Sequence, residues 1–326
     1  MTTIDVHTHM YSNAWMELLR AKAAPLYEVH TVAAGETIFN GDAIVAVPRP
    51  EHFDYALRVK AMDRNGIDVA VVSLTCPNVY WGGPEVSLQA ARLVNDEMAQ
   101  AQRDYPDRIR WMASLPWEYP QAAVVELRRA HVLGAVGVMV LANVADRSLT
   151  APEFAPIWDV IDELALPVLV HPTTPPGARQ MDLGKYDLSW NTGFPFDTTL
   201  AVGRMILDGF LDRYTRLKII ASHGGAALPS LIGRYDLGWR ISTLEDQVCK
   251  EPPSEYLARI CFDSITYSHE ALRFLIQTTG IETVMFGTDF PHIVGDFDGR
   301  MAGVERLPGN QGNAIRHRNA ERVFRL

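Results

Sequence analysis

The hydrophobic pattern of this chain is an eightfold alternation of short apolar runs with segments of helical periodicity. The predicted strands are Thr3–His7, Ile67–Leu74, Ile109–Leu115, Ala135–Val140, Pro167–His171, Lys218–His223, Ile260–Asp263 and Thr283–Asp289. Several are continuously apolar, which is typical of parallel strands buried on both faces. Between them, segments such as Glu85–Arg103 repeat apolar residues at the helical period. Eight strand–helix units predict an α/β fold, a closed (β/α)8 TIM barrel.

Two longer segments interrupt the alternation. Residues 10–54 follow the first strand and contain Asn40-Gly41-Asp42 between apolar runs, a pattern that predicts a hairpin turn. We interpret this segment as a small insertion folded over the mouth of the barrel. Residues 172–197 form a second long loop, rich in proline, glycine and aromatic residues. With no linker and no internal repeat in the pattern, residues 1–326 are predicted to form one domain.

Composition and charge narrow the functional classes. The 326 residues are 48% hydrophobic and 21% charged, an ordinary globular composition. The net charge of −9 argues against nucleic acid or an anionic membrane as a partner. The three cysteines form no CxxC pair, which favours a reducing compartment. We find no signal peptide and no apolar run long enough for a membrane span, so we expect a cytoplasmic protein.

Chemically capable side chains stand at the ends of four predicted strands. His7 and His9 lie two residues apart in an extended strand, so their side chains share a face and sit about 6.6 Å apart along it. His171, His223 and Asp289 end strands five, six and eight. A lone histidine at a strand end is usually a structural residue. Barrel enzymes carry their catalytic residues at the carboxyl rim of the strands. The position of all these side chains at that rim indicates a metal-dependent enzyme.

The motifs that carry these residues resemble those of a known family. They are Asp5-Val6-His7-Thr8-His9, Leu169-Val170-His171-Pro172, Ser222-His223-Gly224-Gly225 and Gly287-Thr288-Asp289-Phe290-Pro291. Together they resemble the amidohydrolase superfamily and, within it, the branch of aminocarboxymuconate-semialdehyde decarboxylase and related aromatic-acid decarboxylases. The resemblance extends over nearly the whole chain.

The resemblance implies a mononuclear metal site. His7, His9, His171 and Asp289 would hold one divalent metal, zinc in our interpretation, with manganese as the alternative. His223 would stand beside the metal as general acid/base, and Asp289 would share in handling the proton. Binuclear relatives carry a bridging lysine at the end of strand four. Strand four here, Gly137-Val138-Met139-Val140-Leu141-Ala142, has none.

Five residues are candidates for contact with a small carboxylic-acid substrate. Arg234 occupies the place where the decarboxylase branch has an arginine that reaches a carboxylate across a dimer interface, which implies a homodimer. Arg179 is a second candidate anion contact; the alternative for both arginines is a solvated surface charge. Trp81 and Phe290 would line an apolar pocket or pack within their loops, and His292 would enter the pocket from its position after Asp289.

Three functions remain open from the sequence. The first is metal-dependent, non-oxidative decarboxylation of a small aromatic or conjugated unsaturated acid. The second uses the same site to hydrolyse a lactone, ester or amide, or to hydrate a double bond, since one fold and one set of ligands serve several chemistries. The third is a non-catalytic metal-binding protein on an enzyme scaffold, which the retention of every ligand and of His223 disfavours.

Overall fold

Eight parallel strands form the central sheet and confirm the predicted barrel. The computed structural model describes residues 2–33, 35–243, 245, 247–295 and 297–326. The barrel strands are β1 (Ile4–His9), β5 (Val69–Ser73), β6 (Ile109–Ala113), β7 (Gly137–Leu141), β10 (Pro167–His171), β11 (Lys218–Ala221), β12 (Ile260–Asp263) and β13 (Val284–Met285), hydrogen-bonded in that order. Apart from the first residues of β5 and β11 and Arg110 in β6, every residue of these strands is buried.

The first and last strands close the barrel through backbone bonds. Val6 N–H donates to Phe286 O at 2.9 Å, and Asp289 N–H donates to His7 O at 2.8 Å. His9 N–H then donates to Phe290 O at 2.8 Å. The residues predicted at the end of the eighth strand therefore run alongside β1, although the regular strand β13 itself is only two residues long. This closure places Asp289 next to the histidines of β1.

Helices cover the outside of the barrel. Their bounds are α1 (Asn13–Lys22), α2 (Tyr55–Arg64), α3 (Gly83–Asp104), α4 (Pro120–Val132), α5 (Ala155–Leu164), α6 (Phe194–Leu207), α7 (Phe210–Arg213), α8 (Leu228–Ile241), α9 (His269–Thr279), α10 (Phe297–Glu305), α11 (Gln311–Asn313) and α12 (Asn319–Phe324). Within the described residues no helix combines the length and the apolar character that crossing a membrane requires.

The insertion after β1 is larger than the predicted hairpin. It contains α1 and an antiparallel sheet of β2 (Glu28–Val32), β3 (Gly35–Asn40) and β4 (Ala43–Ala46). The predicted turn is confirmed, since Asn40 pairs with Ala43 across Gly41-Asp42. The strand β2 was missed because its side chains are mostly exposed, so its apolar alternation is weak. A further short hairpin, β8 (Asn143–Val144) with β9 (Arg147–Ser148), follows β7.

A buried arginine from α2 anchors the carboxyl end of β1. Arg58 is 1% exposed, and its Nη1 donates to Thr8 Oγ1 at 2.6 Å while its Nη2 donates to the His9 carbonyl. Thr8 Oγ1 in turn donates to Phe290 O at 2.8 Å. Burial lowers the pKa of Arg58 to about 10, although the negative charge of Asp5 acts to raise it. The guanidinium therefore stays protonated at neutral pH. Arg58 thus ties the helix layer to the barrel seam.

We expect Arg58→Met to lower the free energy of unfolding by about 1–3 kcal/mol, because the buried Thr8 hydroxyl and His9 carbonyl lose their donors. Urea unfolding monitored by tryptophan fluorescence measures the change. Arg64→Met, an exposed position on the same helix, is the matched control and should stay within about 0.5 kcal/mol of the parent. Equal midpoints for the two variants would contradict the role of Arg58.

Candidate metal centre and active site

The histidines of β1 point to the same place inside the rim of the barrel. His7 and His9 are fully buried, and their Nε2 atoms are 3.1 Å apart. The two-residue strand period puts both rings on one face, as the sequence pattern requires. Two imidazole nitrogens this close share either one proton or one cation.

Further donor atoms reach these nitrogens from the carboxyl ends of β10, β11 and β13. Asp289 Oδ1 lies 3.1 Å from His9 Nε2 and 3.5 Å from His7 Nε2. One donor atom each from His7, His171, His223 and Asp289 lies within 4.8 Å of the others. Residues up to 282 positions apart in the chain therefore meet at one rim of the barrel, because the carboxyl ends of parallel strands face the same way.

The outer ring nitrogens of the three histidines are all occupied. His7 Nδ1–H donates to Asp263 Oδ2 at 2.6 Å, and His171 Nδ1–H donates to Pro172 O at 2.8 Å. His9 Nδ1 is 3.2 Å from Ser73 Oγ. With the proton held on Nδ1, Nε2 of His7 and Nε2 of His171 present their lone pairs to the common centre, which is the orientation that metal-binding histidines require.

Asp263, at the end of β12, contacts this cluster, and the sequence reasoning did not single it out. Besides the bond from His7, its carboxylate accepts the backbone N–H of His223 at 2.8 Å and of Gly224 at 2.9 Å. Asp263 therefore holds the His7 imidazole and the loop of His223 in place together. The available signal was an apolar run, Ile260-Cys261-Phe262, that ends in a carboxylate at the same rim as the other residues.

Burial and local contacts set the protonation states of the cluster. Burial lowers the pKa of His9 to about 3 and that of His171 well below its ordinary value, so both rings are neutral. Burial alone would lower the pKa of His7, but the hydrogen bond to Asp263 and the charge of that carboxylate outweigh burial and raise the pKa. Burial alone would raise the pKa of Asp289, but the contacts of its carboxylate with His223 and His9 outweigh burial and hold the pKa well below the usual range. Neutral rings at His9 and His171 beside an ionised carboxylate fit a divalent metal ion.

His223 stands beside this centre on a constrained turn. Its φ of +54° is left-handed, an uncommon conformation for a residue with a side chain and one that is enriched at functional sites. Its Nε2 is 3.5 Å from Asp289 Oδ2, and its side chain is 12% exposed toward the cavity. The following Gly224 also has a positive φ, and a Cβ there would lie 2.8 Å from Thr266 Cγ2. Gly224 therefore leaves room between the turn that carries His223 and the side chain of Thr266.

A cavity of about 490 Å³ opens above His171, His223 and Asp289. Its walls are largely apolar and come from the insertion sheet, the long loop after β10 and the loop after Asp289. The apolar lining residues include Ile44, Val45, Val47, Trp190, Phe194 and Ile293. The insertion thus forms one wall of the mouth of the barrel, in the place where it was predicted.

Of the five candidate substrate contacts, one lines the cavity. His292 lines the cavity, whereas Trp81 is buried against Trp15 and Phe290 packs on Phe297, both outside its lining. Arg179 lines a separate, more polar cleft of about 700 Å³. Arg234 is exposed on α8 and contributes nothing to the cavity of its own chain. That these five residues bind the substrate therefore stays a prediction.

Comparison with known proteins agrees with this geometry. The chain is 30% identical over 300 residues to the 2-amino-3-carboxymuconate-6-semialdehyde decarboxylase of Dictyostelium discoideum, covering 90% of this chain and 82% of the relative. It is 30% identical over 254 residues to the gamma-resorcylate decarboxylase of Rhodococcus jostii, covering 72% and 76%. The crystal structure of 5-carboxyvanillate decarboxylase from Sphingomonas paucimobilis matches with a TM-score of 0.88 and 27% identity, over 100% of this chain and 99% of the other.

Both curated relatives and the solved structure are decarboxylases, and the shared fold extends over essentially the whole chain. Residues 4–326 match the Amidohydrolase family as a whole. The barrel, the cluster of histidines and aspartate at its carboxyl rim and this full-length match together identify the chain as a member of the Amidohydrolase family.

Proposed function

We propose that this chain is a metal-dependent, non-oxidative decarboxylase of a small aromatic or conjugated unsaturated carboxylic acid. One observation carries the proposal: donor atoms of His7, His171, His223 and Asp289 lie within 4.8 Å of one another below an apolar cavity, and His9 Nε2 lies 3.1 Å from the same Asp289 carboxylate. An apolar cavity of this size suits a flat organic acid. The decarboxylases among its relatives favour this reaction over the others that such a site supports.

The metal ligands that we propose are His7, His9, His171 and Asp289. Imidazole nitrogen and carboxylate oxygen are both common zinc ligands, so zinc is the metal that we propose, with manganese as the alternative. When bound, the ion supplies Lewis-acid stabilisation of negative charge on the substrate's oxygen atoms.

The residues of the chain would bind the acid and supply the proton. The apolar walls would hold the ring or conjugated system over the centre and keep water away from it. His223, hydrogen-bonded at Nε2 to Asp289, would deliver a proton to the carbon that bears the carboxylate. The carbon–carbon bond breaks, CO2 leaves, and the electron pair left on that carbon takes the proton, so no oxidant or reductant is required.

The homodimer and the cytoplasmic location are also proposals. Arg234 is exposed on α8, where a second copy of the chain could receive it. The cysteines Cys76, Cys249 and Cys261 are all free and buried, which fits a reducing compartment. Sedimentation of the purified chain tests the dimer.

The reaction itself is tested by CO2 release. We expect the zinc- or manganese-loaded protein to release CO2 in a 1:1 ratio with acid consumed from a panel of hydroxybenzoates and conjugated unsaturated acids. Removing the metal with a chelator should abolish the activity, and adding it back should restore it. Turnover of lactones or esters without CO2 from any acid would contradict decarboxylation and favour hydrolysis.

Replacing His223 separates catalysis from metal binding. We expect His223→Ala to keep its bound metal and lose a factor of about 10²–10⁴ in kcat, the usual contribution of general acid/base catalysis. His131→Ala, at an exposed position on α4, is the control and should turn over like the parent. Metal analysis and a CO2 assay on the same preparations provide the two readouts. Undiminished turnover in His223→Ala would refute the assignment.

Replacing Asp263 tests the support of the metal centre. Asp263→Asn keeps the shape of the side chain but removes the charge that faces His7 Nδ1–H, so we expect metal affinity to fall by about 10–100-fold. Competition with a fluorescent chelator measures the change directly. The control Asp107→Asn alters an exposed carboxylate in the loop before β6 and should leave affinity as it was. The same affinity in both variants would exclude a supporting role for Asp263.

A further inference from the structure

A cleft of about 460 Å³ opens at the face of the barrel opposite the metal centre. Its lining includes Lys218, the first residue of β11, Arg259, which precedes β12, and Thr283, which precedes β13. Parallel strands begin at one face of a barrel and end at the other, so the length of the strands separates this cleft from the metal centre. The cleft is therefore distinct from the active-site cavity.

Positive charge dominates the lining of this cleft, which we call the basic cleft. Its five basic residues are Arg216, Lys218, Arg259, Arg322 and Arg325. Among the described residues that line it, Glu282 is the only acidic one. The chain as a whole carries a net charge of −9, so the local excess of positive charge is the reverse of the overall charge. Composition therefore does not account for the basic cleft.

Two of the cations are held by backbone carbonyls and not by carboxylates. Lys218 Nζ donates to Val323 O at 3.0 Å, and Arg322 Nη2 donates to Glu282 O at 2.5 Å. A carbonyl fixes the direction of the side chain but leaves its charge in place, and each head group has further N–H donors. No ion pair between described residues includes any of the five basic residues. The basic cleft therefore retains both its positive charge and part of its donor capacity.

The positive charges lie close enough to act on one another. Burial lowers the pKa of Lys218, and the charges of Arg325 and Arg322 lower it further. Burial raises the pKa of Cys261, in the same lining, to about 11, although the charges of Arg322 and Lys218 act to lower it. Like charges in such proximity repel, and an anion placed between them would replace repulsion with attraction.

We propose that the basic cleft binds a small anion that carries two or more phosphate groups. Guanidinium groups hold phosphate oxygens in bidentate fashion, and the lysine adds a compact charge. The five cations exceed what a single carboxylate balances, and the volume of the cleft lies in the range of small-molecule sites. A nucleic acid would extend past the cleft onto a chain of net negative charge, which disfavours a long polyanion.

Pyrophosphate is the probe that tests the site. Calorimetric titration of the full-length, metal-loaded protein at low ionic strength measures its Kd, and inorganic phosphate is titrated in parallel. We expect pyrophosphate to bind at least about tenfold more tightly than phosphate, because it engages more of the cations. Added salt should weaken the binding, because it screens exposed charges. No binding of pyrophosphate, or equal affinity for the two anions, would overturn the proposal.

Paired variants locate the binding. Arg322→Gln combined with Arg325→Gln removes two exposed cations of the basic cleft, and we expect the Kd for pyrophosphate to rise at least about tenfold. Arg64→Gln combined with Arg103→Gln changes the net charge equally, at exposed positions on α2 and α3 outside the lining. The Kd of this control should stay within about twofold of that of the parent, because distant surface charges are screened. Equal affinities in the two double variants would overturn the site.

Further readouts keep the test decisive. Arg325→Gln alone, at an exposed position, should raise the Kd about threefold if the double variant does not fold. Pyrophosphate held at the metal centre would bind the parent and every variant alike, which would overturn the site. A DNA duplex that binds more tightly than pyrophosphate, and is lost in the same variants, would overturn the small ligand.

This inference and the proposed function fail independently. The basic cleft contributes no residue to the metal centre, so Arg322→Gln with Arg325→Gln should release CO2 at the rate of the parent. If no acid releases CO2 while pyrophosphate still distinguishes the variants, decarboxylation is wrong and the anion site is right. If CO2 is released but pyrophosphate does not bind, the anion site is wrong and decarboxylation is right.

Discussion

The metal centre depends on hydrogen bonds at the outer nitrogen of each imidazole. Asp263, Ser73 and the Pro172 carbonyl occupy the Nδ1 atoms of His7, His9 and His171. Because a neutral imidazole has one proton, holding it on Nδ1 leaves the Nε2 lone pair facing the centre. Burial keeps the rings of His9 and His171 neutral, and the contacts of Asp289 with His223 and His9 keep its carboxylate ionised. The cluster is preorganised for a cation because a hydrogen bond at the outer ring nitrogen fixes the orientation of each of these three imidazoles.

The closure of the barrel holds these residues in register. Asp289 reaches the β1 histidines only because the chain after β13 pairs with β1 in a fixed alignment. Buried polar side chains reinforce this seam: Asp5 accepts the Thr288 hydroxyl at 2.6 Å, and Arg58 holds Thr8 and the His9 carbonyl. Burial raises the pKa of Asp5 to about 6, although the hydrogen bond from Thr288 acts to lower it. Part of the polar core of the barrel therefore serves to position the site.

The cavity determines which molecules reach the centre. Its walls come from segments outside the barrel strands: the insertion sheet, the loop after β10 and the loop after Asp289. Among the described residues, these segments line the cavity mainly with apolar side chains and with no lysine or arginine. The barrel rim thus carries the cluster of histidines and aspartate, and the loops shape the cavity above it.

The sequence by itself determined the barrel and indicated the histidines and the aspartate that lie together at its rim. Local patterns encode both: parallel buried strands are continuously apolar, and functional side chains stand where those strands end. His7 and His9 could even be placed on one face, because strand periodicity is local. Only the tertiary structure decided the rest. The hydrogen bond from His7 to Asp263 depends on how distant segments pack, and so does the separation of Arg179, Trp81 and Phe290 from the cavity. Such packing leaves no periodic trace in the sequence.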